Sequence, residues 1–341
     1  MRRINKTIYI TSDDLYIHCD HDSLALMKDR SIVTRIPVTA IEQIVIFGNV
    51  TISSYVIRFC NENHILMTYL SEYGNIYGSI FGTWYGNVDL RDKQYRLHDS
   101  NRDIGLVRNI LLGKMNNSRN VIMRCAKDAS DEDADALYSA ASRLKTYIAR
   151  LPELENIDDL RVVEANAALE YFSVFDNMLK NDDESMSFIK RSRRPPKNNC
   201  NAIMSLLYTL FTGDCAAALA GNGLDVYKGY LHAVRAGRKS LACDLVEEFR
   251  ACIVDKFIIT MINRRQLSDN DFRIDAAGIK LKHASLQRVL QEWEEYKAKE
   301  IVHPLYKKKY ELKVLPYLQA QLMAQYIRGD IPEYPPFTWK Q

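Results

Sequence analysis

The sequence contains no CxxC pair, and its seven cysteines (Cys19, Cys60, Cys125, Cys200, Cys215, Cys243 and Cys252) are odd in number and scattered. That argues against a zinc ribbon or a disulfide scaffold and fits reduced thiols in a cytosol, so a cytoplasmic location is expected. Long apolar runs are missing too. Stretches such as Ile44–Phe47 and Leu241–Cys243 fall far short of the roughly 20 residues that span a bilayer, and no membrane association is expected. The basic start, Met1-Arg2-Arg3, runs into alternating Thr, Ile and Tyr and then Asp13-Asp14 instead of an unbroken apolar core, so no secretory signal is read there. Charge of one sign is nearly balanced, at +3 overall, which alone names no partner. Glycine and proline are sparse, at 14 and 9 in 341 residues.

What is present divides into two grammars. Thr7–Thr11, Leu15–His18, Ser23–Met27, Ser31–Ile36, Ile41–Phe47 and Ile65–Leu70 are rich in β-branched and aromatic residues, with Asp, Asn, Gly or Pro between them, and read as strands. Ser54–Asn63 reads as one short helix with Val56, Ile57 and Cys60 on one side. After Gly86 the breakers thin out: no glycine lies between Gly113 and Gly213, and no proline between Pro37 and Pro152 or between Pro196 and Pro304. Helical periods follow, as in Leu137, Ala141, Leu144 and in Leu241, Leu245, Phe249, Cys252. The fold class expected is α+β, with a β-rich N-terminal domain over residues 1–90 and a larger all-α domain over 91–341. Asn181–Asn199, polar and carrying Pro195-Pro196, reads as a loop between helices. Residues 1–85 hold 7 basic and 8 acidic residues, against 39 and 35 in the remainder, so a polyanion is expected to bind the second region.

The densest chemical signal lies between Gly229 and Lys256. Gly237 allows a turn, and Ser240 is expected to cap the helix after it. On that helix Asp244, Glu247 and Glu248 share one face by their spacing. Read alone, they favour a solvated acidic stripe near a helix N-terminus. Glu164, among small residues in Glu164-Ala165-Asn166-Ala167-Ala168, reads by itself as a surface glutamate. Taken with His232, however, these carboxylates form a hard, oxygen-dominated donor set. Such a set suits Mg²⁺ or Mn²⁺ better than structural zinc and fits phosphoryl chemistry. Basic residues supply a third signal: Arg191, Arg193 and Arg194 in one run, with Arg238 and Arg250 flanking the acidic helix. They could hold a DNA backbone, or be a solvated loop and salt-bridge partners.

Five blocks, in order along the chain, then carry a likeness. They are Thr7–Thr11; Gly86-Asn87-Val88 with Gln94-Tyr95-Arg96; Glu164–Ala168 with Tyr171-Phe172; Arg194-Pro195-Pro196 with Asn201-Ala202 and Ser205; and Gly229-Tyr230-Leu231-His232 through Arg250. The chain resembles the CRISPR-associated adaptation endonuclease/integrase family. Its tail, Arg328-Gly329-Asp330 with Tyr334-Pro335-Pro336-Phe337, is similar to the subtype I-C branch. The resemblance implies a β-rich N-terminal domain serving dimerisation, a helical catalytic domain, and an Mg²⁺- or Mn²⁺-dependent endonuclease/integrase. It implies metal ligands Glu164, His232 and Glu247, with Asp244 as a further catalytic residue. DNA contacts are expected from Arg191, Arg193, Arg194, Arg238 and Arg250 on their clustered charge. The partners implied are duplex protospacer and repeat DNA, a second copy of the chain, and the small second adaptation protein. Two departures stand out: Ala165 follows the first ligand where the family usually has Gly, and Cys200 replaces the more frequent Asp. Two other functions compete with this one, a nucleic-acid scaffold without chemistry and a small-molecule phosphohydrolase using the same ligands.

Overall fold

The computed structural model describes residues 7–12, 14–41, 43–63, 65–71, 76–80, 87–180, 183–192, 195–275 and 278–339. Two compact units divide the chain. One comprises Met1–Gly86 with Leu286–Glu292, the other Asn87–Ser285 with Trp293–Gln341.

The first unit is built from β1 (Thr7–Ile10), β2 (Tyr16–Asp20), β3 (Ser23–Lys28), β4 (Ser31–Pro37), β5 (Gln43–Phe47), β6 (Thr51–Ile52), α1 (Ser54–Glu62), β7 (Leu66–Leu70) and β8 (Ile76–Ile80). They form two four-stranded sheets, ordered β1-β5-β7-β8 and β4-β3-β2-β6. β5 runs parallel to both β1 and β7 and is buried along its whole length. This explains its unbroken apolar run, because a parallel strand covered on both faces has no polar side to show. Ile17, Leu24, Ile44, Ile46, Val56, Cys60 and Met67 share one core. In α1, Val56 and Cys60, four apart, turn inward, while Ile57 is 41% exposed. The step from 56 to 57 rotates a helix by about 100°, which takes Ile57 off the expected face. β4 is an edge strand, and its Ile32 and Val33 are exposed.

The second unit contains α2 (Val88–Tyr95), α3 (Arg102–Ala126), α4 (Asp131–Arg150), α5 (Ile157–Ser173), α6 (Asn199–Gly221), α7 (Ser240–Phe249), a π-helical turn (Arg250–Asp255), and α8 (Lys256–Asn263). α9 (His283–Lys297), whose residues Leu286–Glu292 belong to the first unit, and α10 (Leu315–Arg328) follow. Two short antiparallel ribbons accompany the helices, β9 (Phe272–Asp275) with β10 (Gly278–Leu281), and β11 (Glu300–Val302) with β12 (Lys309–Glu311). α3 lies against α4, α5 and α7, and α6 against α7 and α10. α6 corrects one expectation. By length and composition it could cross a membrane, yet 72% of its most apolar window is buried. Its apolarity follows from its place in the core, where a helix is hydrophobic all round.

The segment after α10 is strapped onto α3 and α7. Asn109 Nδ2 donates to the Tyr334 carbonyl at 2.8 Å. Asn117 Nδ2 donates to the Phe337 carbonyl at 2.9 Å, while its Oδ1 accepts the Trp339 N–H at 2.7 Å. The Phe337 ring lies 5.0 Å from that of Phe249. This tail is irregular, so its backbone groups need such side-chain partners once they are buried.

Candidate active site

His232 is delivered by a loop held from three sides. The fully buried Gln94 amide donates to the carbonyls of Asp225 (2.8 Å) and Lys228 (3.1 Å) and accepts the Asp225 N–H (2.8 Å). Arg161 Nε donates to the Leu231 carbonyl at 2.7 Å. Asp244, wholly buried, takes the N–H groups: Oδ2 accepts from Tyr230 (2.6 Å) and Leu231 (3.1 Å), and Oδ1 from His232 (2.9 Å). Gly229 makes this close fit possible, because a Cβ there would lie 2.7 Å from the Ser240 backbone carbon and 2.9 Å from Asp244 Oδ2. The Asp244 carboxylate also meets His232 Nδ1 at 2.7 Å. A carboxylate accepts only, so Nδ1 carries a proton, and Nε2 points out on the other side of the ring. Nε2 lies 3.8 Å from Glu247 Oε1.

The acidic residues of α7 are no solvated stripe. Asp244, Glu247 and Glu248 are all buried, and each points to a different partner. Asp244 serves the His232 loop. Glu248 accepts from the Tyr334 hydroxyl, the Phe337 N–H (2.6 Å) and Gln319 Nε2 (3.1 Å). Glu247 faces Glu164. Ser240 does not cap α7, whose N-cap is Lys239; its hydroxyl donates instead to the Ala233 carbonyl at 3.1 Å. Gly237 makes the expected turn, with φ +75°.

Between Glu164 on α5 and Glu247 on α7 sits the ammonium group of Lys114 from α3. It is hydrogen-bonded to Glu164 Oε1 and lies 2.7 Å from Glu247 Oε2. The second pairing is an ion pair by distance but misses hydrogen-bond geometry, leaving Oε2 a buried carboxylate oxygen without a hydrogen bond among the described residues. Arg250 Nη2 pairs with Glu247 Oε1 at 2.8 Å. Burial alone would raise the Glu247 carboxyl, but Arg250, Lys114 and His232 outweigh it and hold it down at about 2. The Arg250 guanidinium lies 4.7 Å over the Tyr208 ring. The Tyr208 hydroxyl donates to Asp255, as does that of Tyr171 at 3.0 Å. Burial pushes Asp255 up to about 6 against the pull of Tyr208, Arg250 and Tyr171. Lys114, Glu164, Tyr171, Glu247, Arg250 and Asp255 border one cavity of about 50 Å³, room for more than a single water.

Glu164 and Glu247 thus share the Lys114 ammonium and His232 Nε2 faces Glu247, whereas Asp244 stands behind the histidine. Among the described residues no three His, Cys, Asp or Glu side chains are set to hold a metal ion as they stand; a lysine ammonium takes the space between the two glutamates. The donors themselves fit a divalent ion: two carboxylates drawn to one ammonium group, and an imidazole whose Nε2 faces Glu247. The basic residues are less uniform. Arg191 is turned inward onto Asn201 Oδ1 (2.7 Å) and Ser205 Oγ (3.2 Å), and Arg250 onto Glu247. Arg238 is half-buried. Arg193 and Arg194 lie outside the described residues. Sequence reasoning missed Lys114, Arg161, Gln94, Tyr208 and Asp255. Gln94 stood in a quoted block and Asp255 was in the signal region, but nothing marked either as a positioning residue.

The profile of the family described as "CRISPR associated protein Cas1" matches residues 8–295. The chain is 34% identical to a CRISPR-associated endonuclease Cas1 of Moorella thermoacetica and 36% identical to one of Chlorobaculum tepidum, in each case over the full length of both chains. Among solved structures, a CAS1 protein from Thermotoga maritima superposes with a TM-score of 0.81 at 22% identity, covering 95% of this chain and 97% of that one. A casposase bound to an integration product superposes at 0.82 and 17% identity, covering 99% and 94%. These two likenesses concern the fold. A profile match over most of the chain and relatives above 30% identity along their whole length place the chain in the CRISPR-associated Cas1 family.

Proposed function

We propose that the chain is a metal-dependent DNA endonuclease and integrase of CRISPR adaptation, joining protospacer 3′-hydroxyl ends to the CRISPR repeat by transesterification. One observation carries the reading: Glu164 and Glu247, from different helices, meet around a single cation, with His232 locked toward them by Asp244. Burying three carboxylates in one region of a fold is unfavourable without compensation, and a passive scaffold would gain nothing from it. Its relatives from Moorella and Chlorobaculum bear the name endonuclease, in keeping with this activity.

Glu164, Glu247 and His232 would hold Mg²⁺ or Mn²⁺, which supplies Lewis-acid polarisation of the scissile phosphate when bound. The protein's own groups perform the rest. Asp244 fixes the His232 tautomer, and Arg250 orients Glu247 from its second oxygen. In the reaction the bond from phosphorus to the attacking 3′ oxygen forms as the bond to the departing 3′ oxygen breaks; water in place of the hydroxyl gives cleavage. Arg193, Arg194 and Arg238 are proposed to face DNA, while Arg191 and Arg250, turned inward, act on it only through the side chains they hold. The exposed edge strand β4, with Ile32 and Val33 outward, is consistent with pairing of two copies through the first unit. A fold neighbour from a Cas6-RT-Cas1–Cas2 complex, 36% of whose chain is covered, supports a Cas2 partner. A cytoplasmic location and placement near subtype I-C belong to the same reading.

The test is strand joining of a labelled duplex protospacer to a repeat-bearing plasmid with Mg²⁺ or Mn²⁺. Product is expected from the wild-type chain with its partner and none from Glu247→Gln, with DNA binding retained. Metal-independent product, or an active Glu247→Gln, overturns the reading. DNA binding with no joined or cut product in any metal favours the scaffold.

A further inference from the structure

Lys114 presents a feature that no ligand set predicts. It projects from the middle of α3, a helix whose neighbouring positions Ile110, Leu111 and Met115 are core. Its side chain is 11% exposed, a burial that lysine rarely accepts without a partner. Its ammonium reaches both Glu164 and Glu247. The two glutamates bring two negative charges to one spot, and Arg250 offsets part of one of them. Without Lys114, their mutual repulsion at a partly dehydrated site would be unfavourable.

We propose that Lys114 is an internal counter-cation that occupies the metal position in the ion-free protein, so that metal binding is an exchange in which a divalent ion displaces the lysine ammonium from between Glu164 and Glu247. The inference rests on the reading of those glutamates as ligands. Space decides it. A Mg²⁺-sized ion stands about 2.0–2.1 Å from each carboxylate oxygen. An ammonium already in contact with both carboxylates leaves no room for it, and two cations so close repel one another. The cavity beside the pair, bordered by Tyr171 and Asp255, gives the displaced ammonium somewhere to go. The exchange has a use: the acidic pocket stays folded before metal arrives, and affinity for the ion is reduced by the work of expelling the lysine.

Two measurements on the full chain test it. In the first, chelator-treated wild type and Lys114→Met are titrated with Mn²⁺ at neutral pH, with the unbound ion read by electron paramagnetic resonance. Lys114→Met is expected to bind roughly tenfold or more tightly, because the competing charge is gone, and its metal-free form to melt at a lower temperature. The second needs no variant. Acylation of Lys114 by an amine-reactive reagent, read by mass spectrometry, is expected to rise several-fold when Mn²⁺ is added to the wild type. Equal or weaker binding by a folded Lys114→Met, or acylation that stays level or falls with Mn²⁺, overturns the exchange while the metal reading survives. Absence of Mn²⁺ binding by both proteins at millimolar ion overturns the two together.

Discussion

Asp244 Oδ1 grips His232 twice, accepting its backbone N–H at 2.9 Å and its Nδ1 proton at 2.7 Å. One oxygen thus fixes both where the histidine sits and which ring nitrogen is left to act. The other oxygen holds the two preceding amides. In Asp244→Asn, either orientation of the amide turns an NH₂ group toward two N–H donors. We expect Mn²⁺ affinity and strand joining to fall by about 10–100-fold, the range for losing the partner that orients a metal-binding histidine. Calorimetric Mn²⁺ titration and the joining assay check this. Unchanged values would mean that the loop holds His232 without the carboxylate.

Gly229 and Gly237 make opposite predictions. A Cβ at Gly229 meets backbone at 2.7 Å, which cannot swing aside, so Gly229→Ala should displace His232 and abolish joining. Gly237 has open space around it and only a left-handed φ of +75°. Gly237→Ala should lower stability by about 1 kcal/mol and retain most activity. Parallel melting curves and joining rates separate the two.

Lys297 is fully buried between Asp214 Oδ2 (2.9 Å) and Glu294 Oε1 (2.7 Å). Lys297→Met leaves Asp214 buried without its counter-charge and should cost about 3–5 kcal/mol. Replacing Asp214 as well, in Lys297→Met/Asp214→Leu, should recover most of that loss. Urea unfolding of both variants provides the comparison.

His303 sets a pH dependence. Its buried Nδ1 accepts the N–H groups of Leu305 (3.2 Å) and Tyr306 (3.3 Å), and Nε2 has no hydrogen-bond partner among the described residues. Burial pulls its pKa down to about 4. The folded protein therefore resists a proton that the unfolded chain accepts near 6.5. The stabilisation is complete above pH 6.5 and is lost as pH falls through 4. His303→Asn keeps an acceptor without a titrating ring. Its melting temperature should lose less than the wild type's between pH 7 and pH 4; parallel curves would exclude this assignment.

Much of the N-terminal unit was legible because alternation and β-branching are local properties. β1, β5 and β7 fall on the runs that suggested them. The acidic helix was not legible in the same way. The spacing of Asp244, Glu247 and Glu248 fits a wet surface as well as a buried one. The groups that bury Glu248, at Gln319, Tyr334 and Phe337, lie far along the chain. Glu164, His232 and Glu247 could be grouped by the hardness of their donors, but no spacing rule places three residues on separate elements in one site, and only the family likeness implied that they meet. Lys114 left one faint trace, a lysine one turn after the apolar Ile110 and Leu111 and one turn before Asn117 and Ser118, all buried. Ser240 misled because a serine before a helix suggests a cap whether its hydroxyl turns to the helix or, as here, to the Ala233 carbonyl.

The π-helical turn after α7 has a genetic consequence. A wide turn of this kind carries one residue more than an α-turn. Removing a single codon between Ala251 and Val254 would let the turn close as an ordinary α-turn through the same full rotation, so that Asp255 keeps facing Tyr208 and Tyr171. Inside regular α-helix the same deletion would rotate everything downstream by about 100°. A one-residue loss should therefore be better tolerated in this turn than in the body of α7 or α8, and relatives should differ in length here more readily than there.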